Sequence, residues 1–292
     1  MDTQPGLLVV GANGFLARAI LRCWNSRGAP VVTASHSGSA DLVIDLATET
    51  PPVIGSLPPD ITHGVICSAV TSVDRCLSDW DYAYRLNVTN TIALIDEMAT
   101  RGIRPVFCST DQVFKGGTGG YDETDEPEPQ TAYGRQKVAV ENHLRSNHPD
   151  GIIIRMGKLF GALSEDTSPI AQTVQAIRDG REIPAASDFH LSMTHIDDVA
   201  GALWVLAENN ARGIYHLASE TSLTRLDLAT AIAAAAGRPE LVRPISIDDL
   251  DLLEPRPKNT VLDSAKFRSE FGWTFQKWED RLSEVSAAFA VG

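Results

Sequence analysis

The sequence predicts an α/β protein built on a parallel sheet covered by helices on both faces, and three observations carry that expectation. Short, continuously apolar, β-rich runs recur along the first half of the chain, segments of helical spacing separate them, and a glycine-rich turn joins the first run to the first helix. Continuous apolar strands belong to sheets buried on both sides, because a strand with one wet face alternates apolar and polar residues.

The strand runs are 7–10, 31–34, 42–44, 65–67, 106–108 and 152–154. Residues 15–24 and 82–98 place apolar side chains at helical spacing, as do Val138, Ala139 and Leu144 after Tyr133. Beyond Arg155 the alternation weakens, and residues 180–184 with Pro239, Pro244, Pro255 and Pro257 punctuate shorter elements. One segment returns to the main sheet, a helix over 196–208 followed by a strand over 214–217. The expected organisation is a doubly wound domain over 1–155, joined by about 194–218, with a smaller C-terminal lobe from 156–193 and 219–292. Thr194 has the position of a helix N-cap, residues 116–120 read as a mobile glycine loop, and 122–126 as a solvated acidic one.

Composition narrows the function classes. The 292 residues suffice for one large α/β domain carrying a smaller lobe, and no apolar run approaches the roughly 18 residues of a membrane span. The start lacks a basic segment and its apolar run stops at Gly11, so no export signal is expected. Cys23, Cys67, Cys76 and Cys108 show no paired spacing, which suits reduced thiols in a cytoplasm. A net charge of −13 opposes nucleic acid and anionic membranes as partners, and a small anionic ligand then requires a local cationic site. His190 and His195 fit no ligand pattern, and no metal is expected.

The turn Gly11-Ala12-Asn13-Gly14-Phe15-Leu16-Ala17 opens directly into a helix. Its glycines permit a tight turn and close approach of a pyrophosphate, whose charge meets the N–H groups and dipole of the helix N-terminus. This predicts a Rossmann-type domain holding a nicotinamide dinucleotide against Gly11, Asn13, Gly14, Phe15 and Leu16. The second strand ends in Ala34-Ser35-His36-Ser37-Gly38. No carboxylate stands there to bond ribose hydroxyls or to repel a 2′-phosphate, while Ser35, His36 and Ser37 bring polar side chains, so NADP(H) is expected over NAD(H). Asp45, beside Leu46, either bonds the adenine amino group or caps a helix. Ser68, Ala69 and Val70, after the fourth strand, complete the expected cofactor side.

Ser109-Thr110-Asp111 follows a buried strand whose end should lie in the same crevice. Tyr133 and Lys137, four residues apart, share one helix face about 6 Å apart along the axis. A nearby ammonium stabilises phenolate and should draw the tyrosine pKa down from about 10, making it a general acid near neutrality.

Taken in order, these features resemble the extended short-chain dehydrogenase/reductase superfamily over nearly the whole chain. The resemblance implies that Thr110 orients a carbonyl, Tyr133 donates the proton, Lys137 bonds the nicotinamide ribose, and Asn87 supports a proton-relay water. The flanks Ala69-Val70-Thr71-Ser72-Val73-Asp74, Ser109-Thr110-Asp111-Gln112-Val113-Phe114, Gly213-Ile214-Tyr215-His216 and Arg256-Pro257-Lys258-Asn259-Thr260-Val261-Leu262-Asp263 are similar to the dTDP-4-dehydrorhamnose reductase branch. That branch implies NADPH-dependent reduction of a 4-keto group on a nucleotide-linked deoxysugar; the expected substrate-side residues in this chain are Thr71, Val73, Asp111, Lys158 and Arg256, with Arg256 a candidate for the diphosphate.

The chain departs from the branch in places. Met156-Gly157-Lys158 stands where the branch has a small polar pair and a tryptophan packed on the sugar, so Lys158 either binds a substrate phosphate or carboxylate or snorkels to solvent. Met193-Thr194 replaces Pro-Thr, and Leu77 replaces an acid, which argues against the branch's occasional interfacial metal. Two alternatives stay open: an NAD-dependent epimerase or dehydratase, for which Asp111 beside the catalytic hydroxyl speaks, and a non-catalytic regulatory subunit like the methionine adenosyltransferase β subunit. The expected partners are a nucleotide-sugar substrate and a second copy of the chain.

Overall fold

The computed structural model describes residues 4–38, 40–161 and 168–290, except for the side chains of residues 288 and 290. The first three residues, on which the reading of the chain start partly rests, lie outside that set. In chain order the strands are β1 Gly6–Val10, β2 Val31–Ser35, β3 Leu42–Val43, β4 Ile61–Ile66, β5 Arg104–Cys108, β6 Ile152–Met156, β7 Lys158–Phe160, β8 Ile183–Ala186, β9 His190–His195, β10 Gly213–Leu217, β11 Ser222–Thr224 and β12 Val242–Ile245. The helices are α1 Phe15–Ser26, α2 Val73–Ser78, α3 Trp80–Tyr84, α4 Asn90–Thr100, α5 Ala132–Asn147, α6 Pro169–Arg178, α7 Ile196–Glu208, α8 Arg225–Ala235, α9 Ala265–Phe271 and α10 Leu282–Ala290.

Seven strands form one sheet in the order β10-β6-β5-β4-β1-β2-β3, all of them parallel. The order reverses between β1 and β4, so the carboxyl ends of those strands flank the crevice where a doubly wound sheet binds its ligand. Every residue of β1 is buried, as its apolar run demands. One face of the sheet packs on α1 and α7, where Trp24 meets Trp204 edge-on at 5.0 Å, and the other packs on α4 through Leu94, Ile95 and Met98. The expected return over 196–217 forms as α7 and β10, and β10 pairs along the whole of β6.

The remaining elements build the far wall of the crevice. β9 lies between β7 and β11, and β8 pairs with β12. Helices α6 and α8 pack beneath them through Val174, Ile177, Leu228 and Ile232.

Three local expectations are corrected. The helix over 82–98 is divided into α3, a π-helical turn over Arg85–Thr89, and α4. The Thr91 hydroxyl donates to the Leu86 carbonyl at 2.8 Å, supplying a partner within the widened turn. Thr194 is not the cap of α7: its hydroxyl donates to the Leu217 carbonyl, and the His195 imidazole accepts from the Asp197 N–H instead. The glycine loop over 116–120 is tied down, because Asn259 donates its backbone N–H to the Gly116 carbonyl and its side-chain amide to the Thr118 carbonyl.

A buried polar axis crosses the sheet. Arg155 on β6 and Glu141 on α5, each 1% exposed, form an ion pair whose shortest N–O distance is 2.7 Å. Arg155 also meets His216 Nε2 of β10 at 3.3 Å. Glu141→Leu leaves that guanidinium buried without its acid, so unfolding free energy should fall by about 3–5 kcal/mol in chemical denaturation. The Glu141→Leu, Arg155→Met pair should recover part of it.

His216 and His63 are buried, and burial pushes their imidazoles down to about 3 and about 4, helped by Arg155 and Arg104 respectively. In the unfolded chain both take up a proton near pH 6.5. Between those values the unfolded state binds more protons, so stability is full above about pH 6.5 and falls as the pH drops toward 4. Each histidine adds a slope of about 1.4 kcal/mol per pH unit in that window. A urea midpoint that does not move between about pH 7.5 and about pH 5 contradicts this.

Candidate active site

The turn after β1 is shaped for an anion. Gly11 has φ +86°, and a Cβ there would stand 2.5 Å from Ser68 Oγ and 2.7 Å from the Ser68 N, so only glycine lets the β4 loop close over it. Gly11 and Ala12 both donate to the Ala34 carbonyl, fixing the turn against β2. Helix α1 begins at Gly14 with no side-chain cap and no acid in its first turn. Its leading N–H groups and positive dipole end are left for a ligand, which is the chemistry a dinucleotide diphosphate needs. The Asn13 side is exposed, and its carbonyl accepts from Arg18.

At the end of β2, Ser35 is buried and donates its hydroxyl to the Ser37 carbonyl at 2.6 Å, within its own turn. His36 and Ser37 are exposed at the rim. The nearest acid in sequence among the described residues, Asp41, is occupied by the Thr33 N–H and hydroxyl. Asp45 caps no helix; it accepts from the Ala47 N–H in a short turn, and Leu46 beside it is buried, its carbonyl accepting from Asn90 of α4.

Asn87 sits in the π turn, 2% exposed, and its amide is fully engaged. Its oxygen accepts from the Val70 N–H, and its nitrogen donates to the Val70 carbonyl and to Gln136 Oε1. These bonds form a bracket that holds the β4 loop against α5. Val70 is part of that bracket, while Ala69, Thr71 and Val73 border the cavity beside it.

That cavity, of about 770 Å³, runs from Gly14, Phe15 and Leu16 at the α1 turn to Thr110, Tyr133 and Lys137 and on to the far wall. Ser109, Thr110 and Asp111 enter it from the end of β5, Tyr133 and Lys137 from α5, and Lys158 from β7. Gly134 permits the approach of α5, since a Cβ there would lie 2.2 Å from the Gln112 carbonyl oxygen. Thr131 caps α5 by accepting from the Gly134 N–H, and the Glu254 carboxylate accepts from the Ala132 N–H at 2.9 Å.

Thr110 Oγ1 donates to Asp111 Oδ1 at 3.1 Å, and Thr260 donates to Asp111 Oδ2 at 2.7 Å. Burial raises the Asp111 carboxyl, opposed first by the charge of Lys158. Lys137 donates to the Cys108 carbonyl at 2.8 Å and lies 5.7 Å from the centre of the Tyr133 ring. Burial draws its pKa down to about 8.

The tyrosine departs from expectation. Its pKa is raised, by burial first and then by the charges of Asp111 and Cys76, with only the Thr110 hydrogen bond acting the other way. The lysine sits on the predicted helix face, yet its head turns to the β5 carbonyl, so desolvation outweighs its field. Tyr133 is thus held as a neutral phenol beside the Thr110 hydroxyl.

Arg256 is also corrected. It donates to Asp74 Oδ1 at 2.6 Å and to the Glu254 carbonyl, and it does not border the cavity. Sequence reasoning missed Glu254 and Thr260, which hold α5 and Asp111 from across the chain, and Arg225, a cation in the cavity wall. Away from the cavity, the Nε2 atoms of His143 and His148 both lie 2.6 Å from Asp96 Oδ1 and tie α4 to α5.

All four cysteines are free thiols, and among the described residues no helix is long and apolar enough to cross a membrane. The RmlD substrate binding domain family model matches residues 5–291. Agl14 of Haloferax volcanii, a probable low-salt glycan biosynthesis reductase, is 31% identical over 97% of both chains. A dTDP-4-dehydrorhamnose reductase of Mycobacterium tuberculosis is 31% identical over 78% of both. Methionine adenosyltransferase 2 subunit beta of Rattus norvegicus is 28% identical over 90% of this chain and 81% of its own. The fold is that of the dTDP-4-dehydrorhamnose reductase of Bacillus anthracis solved in complex with NADP, with a TM-score of 0.83 at 22% identity over 98% of this chain and 99% of that one. Matched from the first strand to the last helix, the chain belongs to the RmlD substrate binding domain family.

Proposed function

We propose that this chain is an NADPH-dependent reductase of a keto group on a nucleotide-linked sugar. One observation carries the reading: Thr110, Tyr133 and Lys137 converge in a single cavity with the uncapped N-terminus of α1. In the same reading, residues 1–155 with about 194–218 hold the cofactor, and 156–193 with 219–292 shape the substrate site. The enzyme works in the cytoplasm, in keeping with its free thiols, and pairs with a second copy of itself.

The α1 turn would hold the cofactor diphosphate, the Ser35 to Ser37 rim its adenosine end, and Lys137 its nicotinamide ribose. Bound reduced nicotinamide supplies hydride to the carbonyl carbon. Tyr133, kept protonated by its buried setting, gives its proton to the carbonyl oxygen. Thr110 donates a second hydrogen bond to that oxygen when it turns from Asp111, stabilising the charge that develops there. Lys137 lies close enough to offset the phenolate left on Tyr133. Lys158 faces the same space and contacts an anionic part of the substrate.

A regulatory subunit has no need of the complete trio.

Reduced cofactor titration should give tighter binding for NADPH than for NADH, since no carboxylate at the end of β2 repels a 2′-phosphate. Equal or tighter binding of NADH overturns that preference. Tyr133→Phe keeps the ring and loses the proton, so turnover of a nucleotide-linked keto sugar should fall by roughly a hundred- to ten-thousandfold while NADPH affinity changes little. Lys137→Met should weaken both, having lost the ribose contact and the charge. Retained turnover in Tyr133→Phe removes the tyrosine from the chemistry, and cofactor-dependent binding of a partner protein with no sugar ever reduced replaces the enzyme reading by the regulatory one.

A further inference from the structure

The cavity holds more positive charge than the chemistry uses. Besides Lys137, its lining includes Lys158 and Arg225, and Asp111 is the only acid among the described lining residues. In a chain of net charge −13, three cations against one acid among the described lining residues mark an anion-binding site.

The two additional cations stand well apart. Lys158 pairs with Met193 of β9, and Arg225 directly follows Thr224, which pairs with His190 of the same strand. Three residues along β9 and two strand spacings across it separate the backbones of Lys158 and Thr224 by about 14 Å. Their heads have different surroundings. Lys158 acts on Asp111, at the reacting end, and among the described residues it has no hydrogen-bond acceptor. Arg225 is anchored on α6, donating to Thr173 Oγ1 at 2.8 Å. Its other terminal nitrogen is shielded from water with no acceptor, and no carboxylate pairs with it among the described residues. Burial alone draws this guanidinium down to about 10. A buried, unpaired cation is a standing cost that a bound anion removes.

In a pyranose the carbon bearing the diphosphate and the 4-keto carbon lie across the ring from each other. With the carbonyl between Thr110 and Tyr133, the diphosphate points away from the catalytic edge, and Lys158 meets the substituents beside the carbonyl. Resting on the reductase reading, we propose that the substrate is a nucleotide-linked keto sugar acid, its ring carboxylate paired with Lys158 and its diphosphate with Arg225. A carboxylate fits better than a phosphate monoester, because a single ammonium balances one negative charge and the neighbouring Asp111 repels a second.

Two readouts test the assignment on the full chain. The first is calorimetric binding, with NADP+ present, of a nucleotide hexuronate against the matching nucleotide hexose, neither of which bears a keto group. The hexuronate should bind about tenfold tighter or better, as a charge-assisted contact requires. That ratio should collapse toward one in Lys158→Met and survive in Lys158→Arg, whereas Arg225→Gln should weaken both ligands alike. The second readout is NADPH oxidation with the 4-keto forms of an acidic and a neutral sugar, the acidic one being favoured. Equal binding of hexose and hexuronate, or a preference that survives Lys158→Met, overturns the proposal. Failure to reduce either keto sugar, with the hexuronate preference intact, removes the reductase reading and leaves the acidic-ligand assignment standing. Reduction of the neutral sugar without any binding preference does the reverse.

Discussion

The buried pair of Glu141 and Arg155 fixes how α5 presents Tyr133 and Lys137 to the cavity. Tyr133, Lys137 and Glu141 recur at four-residue intervals on α5 and so share one face of that helix. Glu141 receives Arg155 from β6 and the Ser109 hydroxyl from the end of β5. The two strands therefore grip the same carboxylate, and α5 cannot turn about its axis without breaking that grip. Burying two charges costs several kcal/mol per ion, and here the cost is offset by multiple hydrogen bonds. The guanidinium also lies 5.1 Å from the centre of the Phe114 ring, which stacks on Tyr121. Its main return is rotational register, which places a phenol and an ammonium at the mouth of the crevice.

Given that register, desolvation decides the protonation states. A solvated tyrosine beside a lysine would titrate early, but Tyr133 is 8% exposed and faces a carboxylate, so its proton is retained. Lys137, drawn down to about 8, keeps most of its charge at neutral pH. An acid that holds its proton until a carbonyl oxygen becomes basic suits the reductive direction. The same dryness strengthens each contact made to developing charge in the cavity.

Much of this was legible in the sequence, and the boundary has a physical cause. Fully buried parallel strands must be continuously apolar, so 7–10, 106–108 and 152–154 announced themselves, and the glycine turn could be read because a backbone requirement leaves a residue-type signature. Contacts joining distant segments leave no local pattern. Glu254 on the start of α5, Thr260 on Asp111, and Arg256 on Asp74 span 122, 149 and 182 residues respectively. Arg225 was hidden for a different reason: it follows Thr224 in a capping box with Asp227, and a helix start explains a polar residue there without reference to any cavity. Tyr133 stands on the expected helix face with its pKa shifted the other way, since spacing reports which groups are near and says nothing of how dry they are.

The segment from Glu254 to Asp263 ties the parts of the crevice together. Glu254 holds the start of α5, Arg256 holds α2 through Asp74, Thr260 holds Asp111, and Asn259 holds the glycine loop. Lys258 and Leu262 also bond to His190 and Ser192 of β9, so a stretch with little regular structure bears on both sides of the crevice, the end of β5 and the far wall. The wall itself is built on β7, β9 and β11, whose register fixes where Lys158 and Arg225 stand. Among the described residues those short strands make no hydrogen bond to the Glu141 to Arg155 axis, so a side chain there can change without disturbing it. The far wall can therefore vary while Tyr133 stays where the buried ion pair put it.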